Sequence, residues 1–360
     1  MRIVRVDIQN IRCIVRSSLE PSPGLNLLIG GNGSGKTSLL EGMFYLGHGR
    51  SFRRVEFDKL VRRGQDSLSV FGEVAEGEHR SRLGIEKRRG SGRIRVDGAD
   101  ASSNRVLAER LVVGAYFPGR EALIWGPSRD RRRLLDWLLF HVEPDYGIVL
   151  RRFADGLRQR NILLREGKNP RSIRSWSEAL ATEGERLHDL RARLMTEFAP
   201  RLADDLSRTL DRAVEVRYRR GWRAGEELSV VWHSGLSADL RRGWTGSGGP
   251  HQADILLTME GVPCRDMLSR GQGKLASLEL FLAAVALVRA RSGRRAVILL
   301  DDLRSEVDNR NLDALLSTLG SIGHQVFITF VDLPSHLARG MNVPDAHMFH
   351  VEQGEVSEVL

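Results

Sequence analysis

Apolar and polar positions alternate with period two at the start of the chain, IVRVDIQN, and again in SLSVFGEVAE, HRSRLGIEKR and RIRVDG. That is the pattern of strands with one buried and one solvated face. GLNLLIG is instead a short unbroken apolar run, as expected of a buried strand. A helix is predicted from about Thr37 to Leu46, and a smaller one near Asn104–Arg110 before the strand LVVGAYF. The turn RRGSG separates HRSRLGIEKR from RIRVDG, so the alternating stretches read as an antiparallel meander.

At GPSRDRRRLLDWLLFHV the period changes. Pro127 and Ser128 start a helix, with Leu134, Leu135, Leu138 and Leu139 at helical spacing, and helical patterning continues to about Leu210. VEVRYRR and ELSVVWHSG predict strands, and RRGWTGSGGPHQAD a loop. LSRGQGKLASLEL opens a long apolar helix, RRAVILLDD reads as a buried strand ending in two acids, and HQVFITF as another strand. Neither internal repeats nor sustained heptads occur. The prediction is an α/β head, residues 1–125 and 213–360, interrupted by a helical basic lobe at 126–212.

With 360 residues and 41% hydrophobic composition the chain can bury a sizeable core. Its start has no apolar signal region, and the longest apolar run, around Leu280–Val288, is well short of the ~20 residues of a membrane span. Cys13 and Cys264 lack metal-ligand spacing and read as thiols of a reducing compartment. A cytoplasmic protein with no membrane partner is expected. The net charge of +9 changes the picture. Between Gly126 and Gly225, 22 basic residues face 15 acidic ones, which fits either a polyanionic partner or a solvated helical surface. Only five cations are lysines, Lys36, Lys59, Lys87, Lys168 and Lys274, so a lysine is the marked choice in a chain that otherwise uses arginine.

Lys36 lies in GGNGSGKTS, which fits G-x-x-x-x-G-K-[ST] between a predicted strand and a helix. Here Gly30, Gly31, Asn32, Gly33, Ser34 and Gly35 supply a loop whose N–H groups wrap phosphate oxygens, ahead of Lys36, Thr37 and Ser38. Lys36 sets a compact charge on the β- and γ-phosphates of ATP, and the Thr37 hydroxyl ligates Mg²⁺. In RRAVILLDD, Asp301 is expected to hold Mg²⁺ through water, and Asp302 to orient or deprotonate the attacking water. Lys36 and Asp302 are thus the catalytic candidates.

Ser269, Gly271 and Gln272 make a second anion site at a helix N-terminus. One phosphate does not need two such sites in one chain. The arrangement makes sense if this helix meets the nucleotide held by a second copy, with Ser305 and Asp308 of SEVD at the crossing. Read alone, SRGQ is an ordinary N-cap.

The order P-loop, Ser-Gly-Gln helix, strand with two acids resembles the ATP-binding-cassette (ABC-type) ATPases, with their mixed sheet and antiparallel meander. Within that class the chain resembles the RecF family of recombination mediators. The resemblance rests on IQNIRCI, GRSFR (Gly49–Arg53), GPSRDRRRLLD, GPHQADILL, LSRGQGKL and LLDDLRSEVD. It implies an ATP-dependent homodimer acting on DNA at single-strand gaps and duplex junctions, with partners of the RecR and RecO type, in DNA repair, replication, recombination and the SOS response. The chain departs from the family pattern at Gln252, Arg304 and Gly273, and in FPGREALIWG. Asp302 in place of the glutamate of many cassette ATPases, and no histidine after the last core strand, suggest a weak, slow ATPase that times a clamp. A transport-type cassette subunit and a non-hydrolysing ATP-gated DNA scaffold are the alternatives. DNA is expected along Arg129, Arg131, Arg132, Arg133, Arg151 and Arg152, with Arg158 and Arg160. Pairing with neighbouring acids is the competing reading of these arginines.

Overall fold

The computed structural model describes residues 1–53, 55–167, 169–303, 309–332 and 346–359. The chain forms two compact units, Met1–Gly119 together with Val288–Leu360, and Arg120–Leu287.

The first unit begins with β1 (Arg2–Ile11), β2 (Ile14–Leu19), β3 (Leu25–Ile29), α1 (Lys36–His48) and α2 (Phe57–Leu60). Next come β4 (Ser67–Glu76), β5 (His79–Arg88), β6 (Ser91–Val96), β7 (Ala99–Ala101), α3 (Arg105–Arg110) and β8 (Val113–Tyr116). It resumes with β12 (Val297–Leu300), α12 (Asn309–Ser321), β13 (Gln325–Phe330), β14 (His347–Glu352) and β15 (Glu355–Val359).

The alternating stretches form an antiparallel sheet in the order β2-β1-β4-β5-β6-β7. Leu68, Val70, Gly72 and Val74 of β4 are buried while the residues between them are more exposed, the burial that a period of two requires, and in β1 Val6 and Ile8 keep it after a register shift between Ile3 and Arg5. The second sheet runs β15-β14-β3-β13-β12-β8, parallel except for β15. Every residue of β12 and β13 is buried, because parallel strands are covered on both faces and so read as continuous apolar runs. The register aligns Leu27 of β3 with Ile328 of β13, and Ile328 with Leu300 of β12. The C-terminal ends of β3 and β12 therefore open on the same edge, where ligands of α/β sheets bind. Helix α1 packs against β1 and β4 of one sheet and β8 and β13 of the other. Leu39, Leu40, Met43 and Leu46 are all buried there.

The second unit holds α4 (Ala122–Trp125), α5 (Ser128–Val142), α6 (Tyr146–Arg165), α7 (Pro170–Leu210), β9 (Glu215–Arg219), α8 (Leu228–Ser234) and α9 (Leu236–Arg242). It continues with β10 (Asp254–Met259), β11 (Val262–Pro263), α10 (Cys264–Met267) and most of α11 (Arg270–Ser292). The interval 126–212 lies inside this unit, which also takes in the three-stranded sheet β11-β10-β9, packed on α7 through β9. ELSVVWHSG, expected as a strand, is helix α8. Leu228, Val231 and Trp232 are its buried residues, a spacing of three and four that puts them on one helical face against α7. The Leu228 N–H also donates to Glu185 of α7 at 2.8 Å, satisfying one donor of the helix start. No helix among the described residues is long and apolar enough to cross a membrane.

Candidate functional site

The sheet ends in the glycine-rich loop directly after β3. Gly30 N–H donates to Phe330 O of β13 at 3.2 Å, Ser34 N–H to Gly31 O at 3.2 Å, and Gly354 N–H to Ser34 O at 2.7 Å. Gly35 caps α1 with φ +115°, a conformation a side chain would strain. Gly31, Asn32 and Gly33 are exposed, while Lys36 and Ser38 are buried. Lys36 Nζ donates to Gly30 O at 2.5 Å and Gly31 O at 2.8 Å, closing the loop on itself. Burial lowers the Lys36 pKa against the opposing pull of Asp301, Asp302 and Asp332. Ser34 Oγ, buried, has no hydrogen-bond partner among the described residues.

The two halves of the candidate site meet. Thr37 Oγ1 donates to the Asp301 carboxylate at 2.9 and 3.0 Å. Asp301, 4% exposed, has its pKa raised by burial, and the hydrogen bonds from Thr37 and Thr329 oppose the rise. Asp302 takes a left-handed φ of 52°. Its turn is held by Thr329 of β13, whose hydroxyl accepts the Asp302 N–H at 2.7 Å and donates to Asp301 Oδ1 at 2.9 Å. Thr329 went unnoticed in the sequence because a lone hydroxyl in an apolar strand has no spacing to mark it. Arg12 and Ser51 were likewise missed as a pair: both hydrogen-bond the fully buried Glu41 of α1. They fasten IQNIRCI and GRSFR to the helix that begins at the phosphate loop. Cys13 Sγ lies 3.6 Å from Ser38 Oγ.

In the second unit, Ser269 and Gln272 cap α11 reciprocally. Gln272 N–H donates to Ser269 Oγ at 3.3 Å and Ser269 N–H to Gln272 Oε1 at 3.1 Å, the capping-box geometry. Ser269, Gly271 and Gln272 are all exposed. Ser305 and Asp308, and the departure at Arg304, lie outside the described residues.

Residues 2–341 match the model of the RecF/RecN/SMC N-terminal domain. Over 99% of its length the chain is 38% identical to the DNA replication and repair protein RecF of Xanthomonas euvesicatoria, covering 98% of that protein. The chain belongs to the RecF family. It is 34% identical to the RecF of Shewanella pealeana, with full coverage of both chains. In structure it is similar to the recombination mediator protein RecF-ATP of the RecFOR pathway, with a TM-score of 0.88, 25% identity, and coverage of 99% of this chain and 97% of that one. The ABC-type head fold follows, and the transport-type alternative falls.

Two motifs behind the RecF resemblance meet in the second unit, and their meeting corrects the expected arginine set. Arg131, in GPSRDRRRLLD, is 9% exposed. It pairs with Asp254 of GPHQADILL at 2.8 and 3.1 Å and donates to the Leu123 and Gly126 carbonyls. Arg132 is half-buried, with its pKa lowered by burial, and donates to Ser128 Oγ and Ala253 O at 2.6 Å. Arg133 pairs with Asp130 at 3.1 Å, Arg152 with Glu183 at 3.6 Å, and Arg158 with Asp155 at 2.9 Å. Arg160 is fully buried, bonded to Asp239, Ser177 and Thr245 and stacked over Trp232. A desolvated arginine is held only where acids and carbonyls surround it, so Arg131 and Arg160 serve the unit's interior. Arg129 and Arg151 are exposed and make no ion pair among the described residues. Gln252, where the RecF pattern has arginine, donates to Gly246 O at 3.2 Å.

Proposed function

We propose that this chain is an ATP-dependent recombination mediator of the RecF kind. It binds ATP at the Gly30–Ser38 loop, pairs with a second copy around the nucleotide, acts on DNA at single-strand gaps and duplex junctions, and hydrolyses ATP slowly. The observation that carries the reading is the convergence of Thr37, Asp301 and Asp302 beside Lys36, built from the ends of two strands far apart in sequence. Its likeness to a DNA replication and repair protein and to a recombination mediator of the RecFOR pathway supports the role in recombination.

The residues fit a divalent cation. The Thr37 hydroxyl and the buried Asp301 carboxylate lie within 3.0 Å of each other at the end of the phosphate loop, and Mg²⁺ is usually held by one or two carboxylates plus phosphate oxygens. Bound there, Mg²⁺ would neutralise charge on the β- and γ-phosphates. In this reading the loop amides and the α1 N-terminus hold the phosphates, with Ser34 Oγ free to donate to them. Lys36 releases the Gly30 and Gly31 carbonyls for the γ-phosphate. Asp302, held by Thr329, orients the attacking water and takes its proton. Ser269 Oγ, now spent on the cap, reaches the neighbour's γ-phosphate across the paired surface. DNA contacts come from exposed cations, Arg129 and Arg151 first. Partners of the RecR and RecO type, and work in the cytoplasm, complete the proposal.

The experiment is sedimentation velocity of the full chain with ATP, with ADP, and of Lys36→Met and Asp302→Asn, each with and without a gapped duplex. Pairing with ATP alone, lost in Lys36→Met and prolonged in Asp302→Asn, supports the reading. An Asp302→Asn protein that stays single with ATP both on and off DNA refutes it.

A further inference from the structure

The start of α11 holds one glycine that its surroundings explain, Gly273, and one that they do not, Gly271. Gly273 sits in the first turn of α11, where glycine costs about 1 kcal/mol against alanine. A Cβ there would lie 2.0, 2.4 and 2.7 Å from Cη2, Cζ2 and Cζ3 of Trp125. The indole therefore lies directly on the helix at the residue whose N–H donates to Ser269 O at 2.9 Å. The other end of the same ring is fixed: Trp125 Nε1 donates to Arg265 O of α10 at 3.1 Å. Trp125 thus bridges the short helix before the turn and the long helix after it. The connection between those helices is Leu268 and Ser269 alone. Gly271 is the reverse case. Its backbone is not left-handed, and a Cβ there would stand in open space. Nothing among the described residues needs that glycine, and close approach from outside suits it.

We infer that Trp125 is a positioning residue: by wedging against Gly273 and tying to Arg265, it sets the angle at which Ser269 and Gly271 are presented to a second copy's nucleotide. The inference rests on the ATP-dependent pairing proposed above. It also accounts for the departure at Gly273, since ALIWG places a large ring where SRGQG provides the space for it. The ring and the missing side chain are one feature.

The test is a size exchange in the full chain. Trp125→Ala removes the wedge, Gly273→Leu displaces it, and the double variant refills the vacated volume with leucine. Trp125→Phe keeps a ring and loses the Nε1 donor. Each protein is measured by sedimentation equilibrium with ATP and Mg²⁺, by nucleotide affinity at dilutions where the protein is single, and by thermal melting to confirm folding. Trp125→Ala and Gly273→Leu are each expected to weaken pairing at least tenfold with single-chain nucleotide affinity unchanged. The double variant should recover most of that loss, and Trp125→Phe should lie between wild type and alanine. Wild-type pairing left intact in both single variants overturns the positioning role alone, as does a double variant no better than the worse single one. A fall in single-chain nucleotide affinity parallel to the loss of pairing overturns it as well. A wild-type chain that never pairs with ATP overturns the dimer reading itself, and the role of Trp125 with it.

Discussion

Thr329→Val keeps the shape of a buried side chain and removes one oxygen. That oxygen donates to the Asp301 carboxylate at 2.9 Å and accepts the Asp302 N–H at 2.7 Å, on a residue 1% exposed. Losing a hydrogen bond to an ionised carboxylate costs about 1.5–3 kcal/mol, and leaving an amide without a partner about 1–3 kcal/mol. Because one atom serves both, the losses overlap, and a net destabilisation of about 3 kcal/mol is expected. For a body of roughly 150–250 residues this lowers Tm by about 6–12 °C. The Asp302 turn also loses its anchor, and under the proposed role of Asp302 its misplacement is expected to cost about a hundredfold in turnover. Thr329→Ser is the control: it keeps the oxygen and loses one methyl, worth about 1 kcal/mol, with turnover near wild type. Urea unfolding and phosphate release at saturating ATP read the two effects. If Thr329→Val stays within about 0.5 kcal/mol of wild type, the ordinary scatter of neutral substitutions, and turns over ATP normally, the argument fails.

Arg160→Met removes the shortest ion pair of the buried Asp239 carboxylate, which keeps Arg242 at 3.8 Å and the Gly246 and Ser247 donors, and is expected to destabilise the second unit by about 1.5–3 kcal/mol. The salt dependence of DNA binding should not change in that variant, since the guanidinium is fully buried. Arg129→Ala and Arg151→Ala should do the opposite, preserving the melting temperature while each lowers the slope of log K against log salt by about 1. His324 is buried neutral with its pKa pushed down to about 4 by burial, its Nδ1 accepting the Ala296 N–H. A depressed histidine means that the unfolded chain takes up the proton first. Its contribution is therefore complete above pH 6.5 and is lost as pH falls toward 4. At pH 5 the expected loss is about 2 kcal/mol, so His324→Gln should flatten the acid limb of stability against pH.

Much of this protein is legible without coordinates, because local rules write it. Period two marks the meander, an unbroken apolar run marks β12, and the phosphate loop needs its glycines and lysine adjacent in sequence to work at all. ELSVVWHSG shows the limit, since nine residues with apolar positions at mixed spacing suit either strand or helix, and contact with α7 decides. The arginines of RDRRR show another limit. Charge says that a residue prefers water or an acid, and only the fold brings Asp254 to Arg131, 123 positions away, while leaving Arg129 outside. Thr329 at the acidic pair, Glu41 between Arg12 and Ser51, and Trp125 against Gly273 belong to the same class. Apart from α8, the sequence by itself determined which elements form, and it determined which loop can hold a phosphate, since both depend on neighbours within a turn or a pleat. Which polar side chain meets which was decided only by tertiary structure, because partners that satisfy a buried charge or accept a ring are brought together by packing and leave no spacing to read.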